Sequence, residues 1–240
     1  MEKLIIISEI GINHNGDFRR IEEMIRQSKA GGADVAKFQV YDSQKVFGDD
    51  SRSHNEFTED DLTTTAEMCD AYGIEFMASV FDIEKFKWCE NLNMSTYKLA
   101  SRTVANYGED KDDTQLIDKI IETGKPVIAS LGMWPHDKVP PFDAKNVTYM
   151  NCISQYPTMY SYYKRFDYTE KLCGYSDHAC GIDYALFNIS NGATVIEKHF
   201  TLNKGMDGND HIGSMDLSDL KILREYGQAL CNINAMLPRE

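Results

Sequence analysis

Residues 195–201 read VIEKHFT. The GAT before them supplies a turn, and valine, isoleucine and phenylalanine mark a buried β-strand. Yet Glu197, Lys198 and His199 stand in its middle. Ionisable groups are costly to bury without partners. Side chains alternate across a strand, so Glu197 and His199 share one face and Lys198 takes the other. The first face is expected to line a polar pocket. Lys198 is expected to point toward whatever packs behind the strand.

Outward from this stretch the chain alternates strand and helix patterns. Strand–helix pairs are expected at 4–10 and 18–30, 35–40 and 59–72, 75–80 and 83–92, and 96–100 and 114–123. Strands follow at 126–131 and 147–153, then a strand near 173–176 with a helix at 182–191. The strand at 195–200 and a helix at 217–236 complete the series. Such alternation implies a parallel sheet. Eight strands point to an α/β fold of the (β/α)₈ TIM-barrel kind, with a doubly wound open sheet as the alternative. One unit departs from the pattern. In MWPHDKVPPFDAKN (133–146), Pro135, Pro140 and Pro141 exclude a normal helix, so a Pro-rich loop is expected in place of the fifth helix. No repeat, low-complexity run or linker interrupts the chain, and one barrel domain is expected over residues 1–240.

Bulk properties limit what this barrel can do. A net charge of -13 argues against nucleic-acid binding, which needs a basic surface. It leaves room for a small anion held by a few converging lysines. Cys69, Cys89, Cys152, Cys173, Cys180 and Cys231 lack zinc-type or CxxC spacing and read as reduced thiols. The N-terminus MEKLIIISEIG is too short and too acidic for a signal peptide, and no apolar run reaches membrane-spanning length. A cytoplasmic protein without a membrane partner is expected.

Barrel parity then gathers the candidate site. Catalytic groups of a TIM barrel collect at the carboxyl ends of its strands. Glu9 lies toward the end of the first strand, Lys37 and Gln39 share a face of the second, and Lys98 sits on the fourth with Ser101 just beyond. Ser130 ends the fifth strand, Ser154 and Tyr156 follow the sixth, and Ser176 and His178 share a parity on the seventh. Any one of these has an ordinary structural explanation, as turn, hydrogen-bonded strand end or solvated charge. Their convergence is harder to explain that way. Buried charges need partners, and an anionic ligand for the lysines and a metal for the histidines are the expected ones. Two imidazoles with carboxylate or water suit Mn²⁺, Fe²⁺, Zn²⁺ or Co²⁺. Such a site can polarise a carbonyl.

The same residues carry a resemblance. EIGINHNGD (9–17), GADVAKFQ (32–39), YKLAS (97–101), GYSDHACGI (174–182), GATVIEKHFTL (192–202) and MDGNDH (206–211) resemble the sialic acid synthase family in order and spacing. Members of that family condense phosphoenolpyruvate with an aldehyde amino sugar, typically N-acetylmannosamine. The resemblance implies His178 and His199 as ligands of a divalent metal, most often Mn²⁺, with Mg²⁺ or Co²⁺ as alternatives. It implies Lys37, Lys98, Ser79, Ser101, Ser130 and Ser176 as phosphoenolpyruvate contacts, and Gln39, Tyr156 and Asp210 as contacts of the aldose acceptor; Ser154 stays a substrate-binding candidate from its strand-end position. Glu9 and Glu197 become catalytic neighbours of the metal. A homodimer is implied as well.

Three departures from the family pattern stand out. The chain ends at Glu240, after the last helix, so the family's antifreeze-like lid domain and its sugar-binding arginine are expected to be absent or supplied by a separately encoded lid protein. ASVF (78–81) replaces the usual STPF, and the Pro-rich segment replaces a helix. A related 3-deoxy sugar acid synthase would need further basic residues for a second phosphate, for which Arg52, His54 and Lys138 are the available sources. A barrel retired from catalysis is the remaining alternative.

Overall fold

Asp17, Phe18–Gly31 and Gly32 illustrate how one helix of the fold forms. The Asp17 side chain accepts the Arg19 backbone N–H and caps helix α1, Phe18–Gly31. Gly32, at φ 93°, closes it in the left-handed conformation that glycine adopts without strain. Between the caps, Ile21, Met24, Ile25 and Ser28 form the buried stripe at helical spacing.

The computed structural model describes residues 3–134, 142 and 144–237. Its strands are β1 Ile5–Gly11, β2 Val35–Val40, β3 Glu75–Val80, β4 Tyr97–Leu99, β5 Val127–Ser130, β6 Val147–Cys152, β7 Leu172–Asp177 and β8 Val195–His199. All neighbours pair in parallel, and β8 returns to β1, so the sheet closes into a barrel and the open-sheet alternative falls. The helices after α1 are α2 Ser43–Phe47, α3 Glu59–Tyr72, α4 Ile83–Asn91, α5 Ser101–Ala105, α6 Lys111–Glu122, α7 Asp183–Ser190 and α8 Leu217–Met236. The fold class expected from the sequence is therefore present. Helices α3 and α8 begin and end where expected. The short helices α2 and α5 were not foreseen, because five residues carry too little periodicity. Most of the Pro-rich segment expected to replace the fifth helix, with Lys138 inside it, lies outside the described residues.

Two apolar regions support the barrel. The larger packs helices on the outer strand faces and includes Ile6, Phe38, Tyr97, Ile196, Leu220 and Leu223. The smaller plugs the barrel interior with Ile7, Val35 and Met77, flanked by Ile5, Ile128 and Val195. By strand parity, the next inward layers on β1, β2 and β8 are Glu9, Lys37 and Gln39, and Glu197 and His199. The plug closes the amino end, and polar side chains occupy the carboxyl end.

Candidate active site

Register brings the candidate residues together. Glu9 is opposite Lys37 on one side and His199 on the other. Gln39 is opposite Ser79, Ser79 is opposite Lys98, and Ser176 is opposite Glu197. The result is a chain of charges across the barrel floor. Lys37 Nζ lies 2.6 Å from Glu9 Oε2 and 3.6 Å from Glu197 Oε2. Lys98 Nζ lies 3.6 Å from Glu197 Oε1. All four residues are buried, none more than 6% exposed. Lys37 donates to Ser79 at 3.2 Å and Lys98 to Ser130 at 2.6 Å. Gln39 donates to Glu9 and Ser176 donates to Glu197.

The lysines thus have partners already. Glu9 and Glu197 are protein partners that the sequence reading, which expected an anionic ligand there, did not pair with them. Burial lowers the Lys37 pKa, but Glu197 and Glu9 outweigh it and hold the ammonium above its ordinary value. Burial wins at Lys98, where neighbouring Lys37 adds to the downward pull against the two glutamates. For Glu197, burial raises the pKa, but Lys37 and Lys98 pull it down to about 2. Glu197 remains ionised, while its Oε2 atom is buried without a hydrogen-bond partner.

The paired histidines flank this floor. Their ring centroids are 5.7 Å apart. His178 Nδ1 lies 3.0 Å from the Ile153 carbonyl, a contact that requires the proton on Nδ1 and leaves Nε2 a free lone pair. His199 Nδ1 is buried without a partner. Nitrogens on rings this close can meet one ion at bond lengths of about 2.1 Å. Among the described residues no group of three or more His, Cys, Asp or Glu forms a ligand cluster, so water or substrate would complete the shell. The donor set fits an open two-histidine site. Cys152 Sγ is 3.6 Å from His178 Nδ1, on the nitrogen that faces Ile153, and supports the ring rather than sharing an ion with Nε2.

Above the floor opens a cavity of about 370 Å³. All the candidate residues line it: Glu9, Lys37, Gln39, Ser79, Lys98, Ser101, Ser130, Ser154, Tyr156, Ser176, His178, Glu197, His199 and Asp210. Tyr156 is 53% exposed at the mouth, with its ring 4.1 Å from that of His178. Ser101 Oγ accepts the Gly132 N–H at 3.1 Å. A Cβ at Gly132 would stand 2.4 Å from Ser154 Oγ, so glycine lets the loop after β5 close against β6. Lys198 lies on the other face, as expected, bonded to Asp177 at 2.8 Å and to the Ala179 carbonyl at 2.7 Å. The sequence reading missed Cys152, Phe47, Arg102 and Asn209 as lining residues, and offered Arg52 only as a source of charge for a second phosphate. Parity on NCIS, where Cys152 and Ser154 share a face, carried the signal for the first. The others sit on short helices and loops without periodicity.

Residues 24–236 match the NeuB family. The chain belongs to that family. Similar proteins include the human N-acetylneuraminate-9-phosphate synthase, 30% identical over 90% of this chain and 67% of its own length. The N,N'-diacetyllegionaminic acid synthase of Legionella pneumophila is 29% identical over 91% of this chain and 69% of its own length. Among solved structures, an N-acetylneuraminic acid synthetase from Leptospira borgpetersenii in complex with citrate superposes with a TM-score of 0.83. It is 25% identical and matches 99% of this chain and 86% of its own. The NeuB relatives are named for sugar-acid synthesis, and this barrel is an enzyme of the same synthase kind. Among the described residues no helix is long and apolar enough to cross a membrane.

Proposed function

We propose that this barrel joins phosphoenolpyruvate to the aldehyde carbon of an amino sugar such as N-acetylmannosamine, releasing phosphate and forming a sialic-acid-like keto acid. The observation that carries the reading is the buried Glu9–Lys37–Glu197–Lys98 chain beside two facing histidines, open to a cavity of about 370 Å³. Ser79, Ser101 and Ser130 add hydroxyls around the lysines, which suits the carboxylate and phosphate of the donor. Gln39, Ser154, Tyr156 and Asp210 form the wall available to the acceptor.

The chemistry follows from these positions. C3 of the donor bonds to the aldehyde carbon, whose oxygen gains a proton. Water then adds at C2 and loses one proton, which balances the one gained by the aldehyde oxygen; the C2–O bond to phosphate breaks as the remaining C2 hydroxyl becomes the keto oxygen and its proton leaves with the phosphate. Lys37 and Lys98 stay fixed beside the developing negative charge, and a preorganised cation of this kind is worth several kcal/mol in the transition state. Glu9, within reach of Lys37 and Gln39, is the first candidate for moving the proton of the attacking water. A divalent ion on His178 and His199, most readily Mn²⁺, with Mg²⁺ or Co²⁺ as alternatives, would supply Lewis acidity toward the aldehyde oxygen. We place this reaction in the cytoplasm, in one barrel domain that works as a homodimer, with a separate lid protein as a further partner.

The test is phosphate release from phosphoenolpyruvate across a panel of aldoses with and without N-acetyl groups. Release should need both substrates, stop with chelator and return with Mn²⁺. Release that is independent of any aldose, or none with every aldose, would count against the proposal.

A further inference from the structure

The outer wall of the barrel between β6 and β7 has no α-helix. Over residues 153–171 the chain forms only the 3₁₀ turn Tyr160–Tyr162, then runs along helix α7. Aromatic rings take the helix's place. Tyr163 and Tyr184 stack with centroids 3.7 Å and planes 8° apart, and Phe187 lies 6.0 Å from Tyr184 at 15°. The Tyr184 hydroxyl accepts the Lys164 N–H at 3.0 Å and donates to the Lys164 carbonyl at 2.7 Å, which ties the two segments together.

Beside these rings opens a cavity of about 360 Å³, and none of the residues that line it lines the candidate active site. Tyr160 on its wall is 75% exposed, more than any other large apolar or aromatic side chain among the described residues. Lys164 and Arg165 line the same cavity against one acid, Asp183, which lies beside the Tyr160 hydroxyl. The Arg165 guanidinium carbon is 5.0 Å from the Phe187 centroid, and one of its nitrogens donates to the Asn191 side-chain carbonyl. Ring and amide hold this guanidinium in place. Among the described residues it forms no ion pair, so the rest of its edge is open to an anion.

Charge and shape together define the ligand. The chain carries -13 overall, so a pocket with two cations against one acid is a local exception that favours an anion. Ring faces favour a planar π system, and an uncharged sugar would leave the cations unused. Nucleoside phosphates join a planar ring to an anion across one ribose, and the cavity has the size of a small-molecule site. We infer that this pocket binds a mononucleotide, its base packed against Tyr160, Tyr163 and Phe187 and its phosphate held by Lys164 and Arg165. The inference is independent of the condensation proposed above.

The experiment is calorimetric titration of the full chain with AMP and CMP, with each nucleoside, and with inorganic phosphate, in the presence and absence of phosphoenolpyruvate. At least one nucleotide should bind about tenfold or more tightly than its nucleoside or phosphate alone, and phosphoenolpyruvate should not displace it. Arg165→Gln should weaken the nucleotide about tenfold and leave the nucleoside unchanged. Tyr160→Ala and Phe187→Leu each remove a wall ring and should weaken nucleotide and nucleoside alike, about 2- to 10-fold. Melting temperatures are measured alongside, and the exposed Tyr160 keeps the test decisive if Phe187→Leu disturbs the fold. Failure of both nucleotides to bind overturns the inference. So does binding no tighter than that of phosphate, or affinity unchanged in all three variants. Binding displaced by phosphoenolpyruvate would belong to the barrel mouth and overturns it too. If no nucleotide binds and Tyr160→Ala turns a wild-type dimer into a monomer in light scattering, the face belongs to a second copy of the chain instead.

Discussion

Consecutive residues of β8 belong to two buried ion clusters that are built differently. Lys198, on the outer face, is paired within the protein. Its ammonium meets Asp177 at 2.8 Å and the Ala179 carbonyl at 2.7 Å, while Asp177 Oδ1 accepts the Ala179 N–H at 3.1 Å. Glu197 and His199, on the inner face, are left incomplete. Glu197 Oε2 and His199 Nδ1 are buried without hydrogen-bond partners, and both residues line an open cavity. Buried polar atoms are almost always satisfied. A closed cluster therefore reads as structure, and an open one beside a cavity reads as a place for a ligand. Alternation along one strand separates the two roles by a single residue.

The largest stability effect should come from breaking the closed cluster. Lys198→Met strands the Asp177 carboxylate in the core, and loss of one partner of a buried pair costs about 3–5 kcal/mol. Chemical denaturation measures it. Adding Asp177→Asn removes the stranded charge and should restore part of the loss. If Lys198→Met unfolds no more readily than the wild type, the two clusters do not differ as described.

A smaller effect sharpens the comparison from a third buried group. His14 is 2% exposed, and burial, with the nearby His54 adding to it, lowers its pKa from 6.5 to about 4. The folded state disfavours the imidazolium, so between these values the unfolded chain binds more protons. The stability contributed by neutral His14 is complete above about pH 6.5 and declines as the pH falls toward 4. Melting temperature should drop between pH 7 and pH 5, and less so in His14→Gln. Equal drops in both proteins would remove His14 from the account.

How much of this was readable beforehand depends on periodicity. Alternation in VIEKHFT and VAKFQV separated inward from outward residues, and helix α3 began and ended where its pattern did. Which inward charge meets which was not readable. The approach of Lys37 to both Glu9 and Glu197 depends on the stagger of three strands in a closed barrel. The rim was hidden for another reason. Phe47 lies in a five-residue helix, where no repeating pattern records which side faces the cavity.

The most direct test of the open cluster is calorimetric titration of phosphoenolpyruvate into the wild type and into Lys98→Met, with the melting temperature of each measured alongside. Lys98 contacts Glu197 only at 3.6 Å, and Glu197 retains Lys37 and Ser176 when Lys98 is removed. Binding should weaken at least about tenfold, as expected for loss of a charge-assisted contact, while the fold persists. Equal binding by the two proteins would contradict the claim that this cluster is the donor site.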